Sequence, residues 1–89
     1  PPGSVGRAAN YAKIYGGGLI GLAYETRGHV LVMSLRSDRV DLNRLLRAIS
    51  RTLDIQGGGH PFAAGARVPA SLFDAFVEKI NSLYRDFVR

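Results

Sequence analysis

The chain contains no cysteine. Disulfide bonds and metal sites with thiolate ligands are therefore excluded, and the composition suits a reducing compartment, so we expect a cytoplasmic protein. The sequence also lacks a run of about 18 apolar residues and a basic leader followed by an apolar stretch. We expect neither a membrane-spanning segment nor an export signal. A P-loop sequence is absent as well, which excludes nucleotide binding of that kind.

Candidate catalytic groups are few. The two histidines, His29 and His60, have no carboxylate cluster near them in the sequence, and a zinc or two-metal centre normally needs at least three convergent ligands. His29 falls in a predicted turn, where an exposed polar residue is ordinary. No serine lies in a nucleophile-elbow sequence, and neither histidine has the setting of a catalytic triad. We predict no catalytic residue and no metal site within this chain.

Positive charge is the main compositional excess. Twelve Lys and Arg against 7 Asp and Glu give a net charge of +5, and ten of the twelve are arginine. The planar guanidinium binds two phosphate oxygens at once, which favours partners that carry phosphate. An arginine-rich surface is also typical of GC-rich genomes and of thermophiles, so charge by itself leaves both interpretations open.

The length of 89 residues predicts one small domain, able to bury about 60% of the surface of its unfolded chain. Residues 1–7 are rich in Pro, Gly and Ser and are predicted to be a linker, which leaves residues 8–89 for the domain. Residues 8–15 fit either a helical turn or an edge strand. Residues 19–25 and 30–35 predict two antiparallel strands, joined by a turn at residues 26–29.

Two amphipathic helices are predicted after these strands. Asp41 caps the first, whose apolar residues recur at helical spacing as far as Leu53. A short strand is predicted at residues 66–68, and Ser71 with Asp74 resembles a capping box at the start of the second helix. The apolar residues of this second helix are Phe73, Phe76, Val77, Ile80, Leu83, Tyr84 and Phe87. The order predicts a single α+β domain, with a small mixed β-sheet and helices packed against it.

The most distinctive stretch is GGGHPFAAGA at residues 57–66. Glycine adopts positive φ without steric cost, so three in a row can turn several backbone N–H groups toward one point. Proline favours the first helical position and glycine the end, so the pattern predicts a short helix that begins at Pro61 and stops at Gly65. The N–H groups of residues 62–64 would then bind phosphate, with His60 beside them. His60 could instead cap this helix without binding a ligand.

A second anion-binding element is predicted where the second strand ends, at the sequence SLRS of residues 34–37. Alternation places Ser34 and Arg36 on one face of the strand, with Leu35 and Ser37 on the other. Arg36 would then contact a ligand beside a hydroxyl donor. The alternative is an ordinary strand end with solvated arginines, and the choice depends on whether the fold brings Arg36 near His60.

Two further patterns have ordinary explanations. Residues 16–21 match the letters of the dinucleotide-binding GxGxxG motif, but that motif opens a helix, and here a strand is predicted to follow. We therefore predict a glycine turn. Arg44, Arg47 and Arg51 lie toward another face of the first predicted helix. We interpret them as a solvated surface, with a surface that follows nucleic acid as the alternative.

The GGGHPFAAG sequence at residues 57–65, with SLRS before it, resembles the C-terminal DHH-associated domain of the DHH phosphoesterase superfamily. The resemblance runs from about residue 19 to the C-terminus. The superfamily includes RecJ-type single-strand exonucleases, nanoRNases, phosphatases of adenosine bisphosphate and archaeal RecJ-like nucleases. In such enzymes an N-terminal domain carries Asp and His ligands for a manganese pair, which activates water, and the smaller C-terminal domain holds the substrate.

The resemblance implies roles for particular residues. Those implied to bind the substrate or its phosphate are Gly57, Gly58, Gly59, His60, Arg36, Ser34 and Ser37. The chain lacks an Asp-His-His motif, so Mn²⁺ or Mg²⁺ and the catalysis would belong to an upstream domain, and the isolated chain is expected to be inactive. The partners implied are single-stranded nucleic acid, a short oligonucleotide or a phosphorylated nucleotide, the upstream catalytic domain, and a second copy of this chain, with no membrane.

Two other functions fit the sequence. A non-catalytic nucleic-acid-binding module, such as a tRNA-contacting synthetase-like domain or a degenerate replication factor, would use the ten arginines as a broad basic surface. A dimerisation domain would use the apolar strip of Phe73, Phe76, Ile80 and Phe87.

Overall fold

A computed structural model describes residues 13–89, with side chains from Tyr15 onward. The linker predicted for residues 1–7 lies outside the described residues, as does most of the stretch at residues 8–15. The last part of that stretch, Lys13–Tyr15, is a strand. Of the two structures predicted there, the edge strand is the one observed in the described part.

In residues 13–89, five strands form a single sheet. They are β1 Lys13–Tyr15, β2 Ile20–Arg27, β3 Val30–Arg36, β4 Gln56–Gly59 and β5 Ala63–Pro69. Their order across the sheet is β1-β2-β3-β5-β4, and all four neighbouring pairs are antiparallel. The predicted α+β class is confirmed, but the described sheet is antiparallel rather than mixed. The strands β3 and β4 run in the same direction, but β5 lies between them, so they do not form a parallel pair.

The hairpin of β2 and β3 is confirmed with a shorter turn than predicted. Thr26 pairs with Leu31 and Arg27 with Val30, so both belong to the ladder and only two residues remain in the turn. Gly28 adopts a φ of +63° in that turn, as two-residue hairpin turns require. The glycine turn expected before β2 is also confirmed, since residues 16–19 form a turn and a strand follows.

The first helix, α1 Leu42–Ile49, has the predicted N-cap: the Asp41 carboxylate accepts a hydrogen bond from the Arg44 N–H. Its buried residues are Leu42, Leu45, Leu46 and Ile49. The helix ends before Leu53, because the hydroxyls of Ser50 and Thr52 donate to carbonyl groups of its last turn and compete with helical bonding. Leu53 still packs against the core from the turn that follows.

The second helix, α2 Phe73–Leu83, begins without the predicted capping box. Ser71 lies inside a 3-10 turn, Ala70–Leu72, and makes no capping hydrogen bond there. The Phe73 N–H donates instead to the carbonyl of Ala70. The helix is therefore entered through a backbone bond of the 3-10 turn and not through a side-chain cap. A second 3-10 turn, Tyr84–Phe87, continues the chain after α2. No helix in residues 13–89 is long and apolar enough to span a bilayer.

The core lies between the helices and one face of the sheet. Fully buried residues from the sheet include Leu22, Leu35 and Val68, and Phe76 and Ile80 of α2 are also at 0% exposure. The opposite face, which we call the helix-free face, carries the alternate residues, among them Ser34 and Arg36 of β3 and Gly65 of β5.

The apolar strip invoked for a dimerisation domain is used inside the molecule. Phe76 and Ile80 are fully buried, and Phe73 and Phe87 are partly buried against the same core. The strip therefore gives no support to a dimer interface, and a second copy as a partner stays a prediction.

Candidate functional site

The glycine-histidine stretch forms a β-hairpin, so the helix predicted from Pro61 to Gly65 is wrong. Residues 56–59 are β4, residues 60–62 form the turn, and β5 begins at residue 63. Gly65 pairs with Ser34 on one side and with Gly58 on the other. A strand between two others makes two ladders of backbone hydrogen bonds, more than one helical turn of the same residues can form.

The anion site built on a helix N-terminus at residues 62–64 is wrong for the same reason. Ala63 and Ala64 belong to the ladders of β5, and the hairpin tip is bonded to its surroundings through its backbone. The Pro61 carbonyl accepts from Leu42 N–H at 2.6 Å, and the Phe62 carbonyl accepts from Ser37 N–H at 3.1 Å. The tip therefore sits on the start of α1 and beside the end of β3.

The glycines of β4 let the strand pass close to α1. Gly58 and Gly59 have φ values of +155° and +144°, which residues with a Cβ rarely adopt. The Gly59 N–H donates to the side-chain oxygen of Asn43 at 3.3 Å. That same oxygen lies 3.2 Å from where a Cβ of Gly58 would be. Glycine is therefore required by the backbone of this hairpin.

The structure brings Arg36 and His60 to the same end of the sheet. Arg36 pairs with Ala63, and the His60 N–H donates to the Ala63 carbonyl at 3.0 Å. The two residues are thus separated by one strand, or about 10 Å between backbones at the usual strand spacing. Both are exposed. The fold thus brings their backbones to the same end of the sheet, and their joint contact with a ligand stays a prediction.

The two predicted serine contacts occupy different settings. Ser34 is partly buried on the same face as Arg36, two register rows further from the tip. Ser37 is 9% exposed, and its hydroxyl oxygen accepts hydrogen bonds from the N–H groups of Arg39 and Val40 at 3.1 and 2.9 Å. Ser37 therefore holds the turn after β3, and its contact with substrate stays a prediction.

One aromatic side chain at the tip was missed by sequence reasoning, which used residue 62 only as a backbone donor. Phe62 is 45% exposed, and the guanidinium of Arg89 lies 5.5 Å from its ring centre. The signal available in the sequence was an aromatic residue directly after a proline. Arg89 gave none, because its position depends on an isolated bridge between Val40 and Val88.

The described residues do not fit a metal centre. Among residues 13–89, no three or more His, Cys, Asp or Glu side chains are grouped so that they could hold an ion. The candidate site consists instead of one guanidinium, one imidazole, an aromatic ring and a glycine-rich strand. Such a set can bind and orient a phosphate group, and it lacks the ligands that activate water.

Comparison with known protein families shows the family of this chain. The chain matches the family model of the DHHA1 domain over residues 1–86. No curated protein matches it. Because the match covers nearly all of the 89 residues, this chain belongs to the DHHA1 domain family, whose members are associated with DHH phosphoesterases.

Proposed function

We propose that this chain is the substrate-binding domain of a manganese-dependent DHH-family phosphoesterase or single-strand exonuclease, of the RecJ-like or nanoRNase type. Its substrate is the phosphate of a nucleotide or a short oligonucleotide. The observation that supports the proposal is that Arg36 pairs with Ala63 and that the His60 N–H donates to the carbonyl of the same Ala63, so the backbones of Arg36 and His60 flank one residue.

Charge and shape both favour phosphate at this end of the sheet. The Arg36 guanidinium offers a planar pair of donors to two phosphate oxygens, and the His60 imidazole can donate to a third. Ala63, and Gly65 two register rows away on the same face of β5, present almost no side chain, so a phosphate can approach the sheet closely. The exposed ring of Phe62 at the tip offers a face for stacking with a base.

The division of labour follows from the groups present. This chain binds the substrate and fixes its orientation through Arg36 and His60. The manganese pair, held by a separate domain, supplies the activated water for phosphodiester cleavage. Phosphate contacts position a strand without reading its sequence, so the domain is expected to accept substrates of varied sequence.

The test is a chemical-shift titration of the 89-residue chain with the dinucleotide pTpT. We expect the amides of residues 57–63 and of Arg36 to shift. Replacement of His60 by Ala or Arg36 by Gln should weaken binding by about tenfold or more, because a hydrogen bond to a charged group contributes about 1.5–3 kcal/mol.

Matched controls lie at the far end of the same strands. His29→Ala and Arg27→Gln remove the same chemical groups from the β2–β3 turn region, and both should leave the affinity for pTpT unchanged. If only α1 responds to the dinucleotide, or if His60→Ala binds as tightly as the unaltered chain, the proposed site is wrong. The second result would favour the non-catalytic module with a broad basic surface.

A further inference from the structure

The outer side of α1 carries a depression that the proposed site does not use. Its volume is about 410 Å³. The residues that line it are Asn43, Arg44, Arg47, Ala48, Arg51 and Phe87. Three of these six are arginines and none is acidic, so the depression is strongly positive. All three arginines are exposed.

These arginines take part in none of the ion pairs of the described residues. The pairs found in residues 13–89 join Arg27 to Glu25 and Arg89 to Asp41. A helix surface that serves only for solubility usually interleaves both signs of charge. Arg44 and Arg47 lie on α1, and Arg51 lies in the turn that follows the helix. All three line the same depression, so a single polyanion can contact them together.

The depression on α1 continues toward the hairpin tip. A neighbouring depression of about 310 Å³ shares Arg44 and Phe87 with it and extends to Arg89, whose guanidinium lies over the ring of Phe62. Two carboxylates line this second depression. Asp41 is already bonded to the Arg44 N–H and lies 3.7 Å from Arg89, whereas Asp86 is exposed. Asp86 is therefore the one uncompensated acid of this second depression. The first depression is lined by three arginines.

We propose that Arg44, Arg47 and Arg51 form a second phosphate-binding surface, the arginine track, for the continuation of a single-stranded nucleic acid. The nucleic-acid strand, whose end is bound at Arg36 and His60, passes the hairpin tip at Phe62 and lies along α1. This rests on the proposed function for the position of the strand's end. It adds that the domain prefers strands of several nucleotides to dinucleotides.

An acidic protein segment is the other polyanion that such a surface could bind. The observations favour nucleic acid for two reasons. The positive charge is carried by arginine rather than lysine, which suits phosphate geometry. The depression also adjoins a second one that shares Phe87 and reaches Arg89. The Arg89 guanidinium lies over the ring of Phe62, and aromatic rings near a phosphate-binding surface can stack with bases.

The experiment compares two double variants of equal charge change. Arg47→Gln with Arg51→Gln removes two cations from the track. Arg27→Gln with Arg85→Gln removes two exposed cations from elsewhere. Binding of labelled dT12 is measured by fluorescence anisotropy across a salt series, and binding of pTpT is measured by chemical shift. Circular dichroism confirms that both variants are folded.

We expect the track variant to bind dT12 about tenfold more weakly and to keep its affinity for pTpT. The slope of log K against log salt should become shallower by about 1.4, since each lost contact with a single strand contributes about 0.7. The matched variant should lose much less. Equal losses in both variants, or an unchanged affinity of the track variant for dT12, would overturn the proposal.

A poly-glutamate peptide distinguishes an acidic protein segment from nucleic acid as the ligand of this surface. If the track variant loses affinity for a poly-glutamate peptide and not for dT12, the surface binds an acidic protein segment and the proposal is wrong. The proposed function is tested separately: it is wrong if His60→Ala binds pTpT as tightly as the unaltered chain does.

Discussion

At Gly59 the backbone of β4 has a φ of +144°, and a Cβ there would lie 3.1 Å from the Cα of Ala64 across the hairpin. Both the backbone angle and the approach of the neighbouring strand exclude a side chain. Gly65, in the facing strand, has no positive φ, and its Cβ would make an ordinary 3.5 Å contact with the carbonyl of Met33. At the scale of single residues, the glycines of the motif therefore have different reasons to be glycine.

We predict that Gly59→Ala lowers the free energy of unfolding by about 1–3 kcal/mol, because alanine must adopt a backbone conformation that costs about that much. Urea denaturation followed by circular dichroism measures the change. Gly65→Ala is the control and should change stability by less than about 1 kcal/mol, since its backbone suits alanine. Equal losses at both positions would show that strain at Gly59 is not the cause.

At the scale of elements, the start of α1 joins three parts of the chain. Asp41 caps the helix through the Arg44 N–H, and its own N–H donates to the carbonyl of Phe87 at 2.8 Å. The first helical N–H, that of Leu42, donates to the Pro61 carbonyl of the hairpin tip. The helix N-terminus is thus occupied by protein groups. Its role is to fix the tip that carries His60 and Phe62.

Asp41→Ala is expected to reduce stability by about 1 kcal/mol through loss of the cap, which lowers the melting temperature of a domain of this size by about 4–8 °C. Differential scanning calorimetry provides the measurement. The control is Asp38→Ala, an exposed carboxylate three residues earlier that caps no helix. A melting temperature that falls equally in both variants would mean that net charge, rather than the cap, sets the effect.

At the scale of the whole molecule, the chain carries a net charge of +5, and both proposed phosphate-binding surfaces contain arginine. One is the end of the sheet with Arg36 and His60. The other is the arginine track on α1. Because the proposed contacts go to phosphates, binding should depend on salt and hardly on base identity.

We predict that dT12 and dA12 bind within about fivefold of each other, because stacking and phosphate contacts tolerate any base. The slope of log K against log salt should lie near −3, as expected for about four arginine–phosphate contacts with a single strand. Fluorescence anisotropy at several salt concentrations gives both quantities. A strong preference for one homopolymer, or a slope near zero, would contradict a phosphate-binding role.

Local patterns were sufficient for the elements that depend on neighbours in the chain. The β-rich run at residues 30–35 predicts β3, and helical spacing after Asp41 predicts α1; both are observed. The same reasoning failed at Pro61, because the preference of proline for a helix start competes there with strand pairing. Residues 63–65 form strand because β3 and β4 offer ladders on both sides, and β3, some thirty residues earlier, is not visible from a local window.

The sequence by itself determined the α+β class, the two helices, the β2–β3 hairpin and the residue types of the candidate site, since these follow from periodicity, caps and composition. Only the tertiary structure decided that the GGGH segment is a strand and a turn, that the backbones of Arg36 and His60 flank Ala63, and that Arg89 reaches Phe62. The physical reason is that strands far apart in the sequence pair with each other in the sheet. The register of β3 against β5 joins residues some thirty positions apart, such as Ser34 and Gly65, and it depends on the packing of the whole domain.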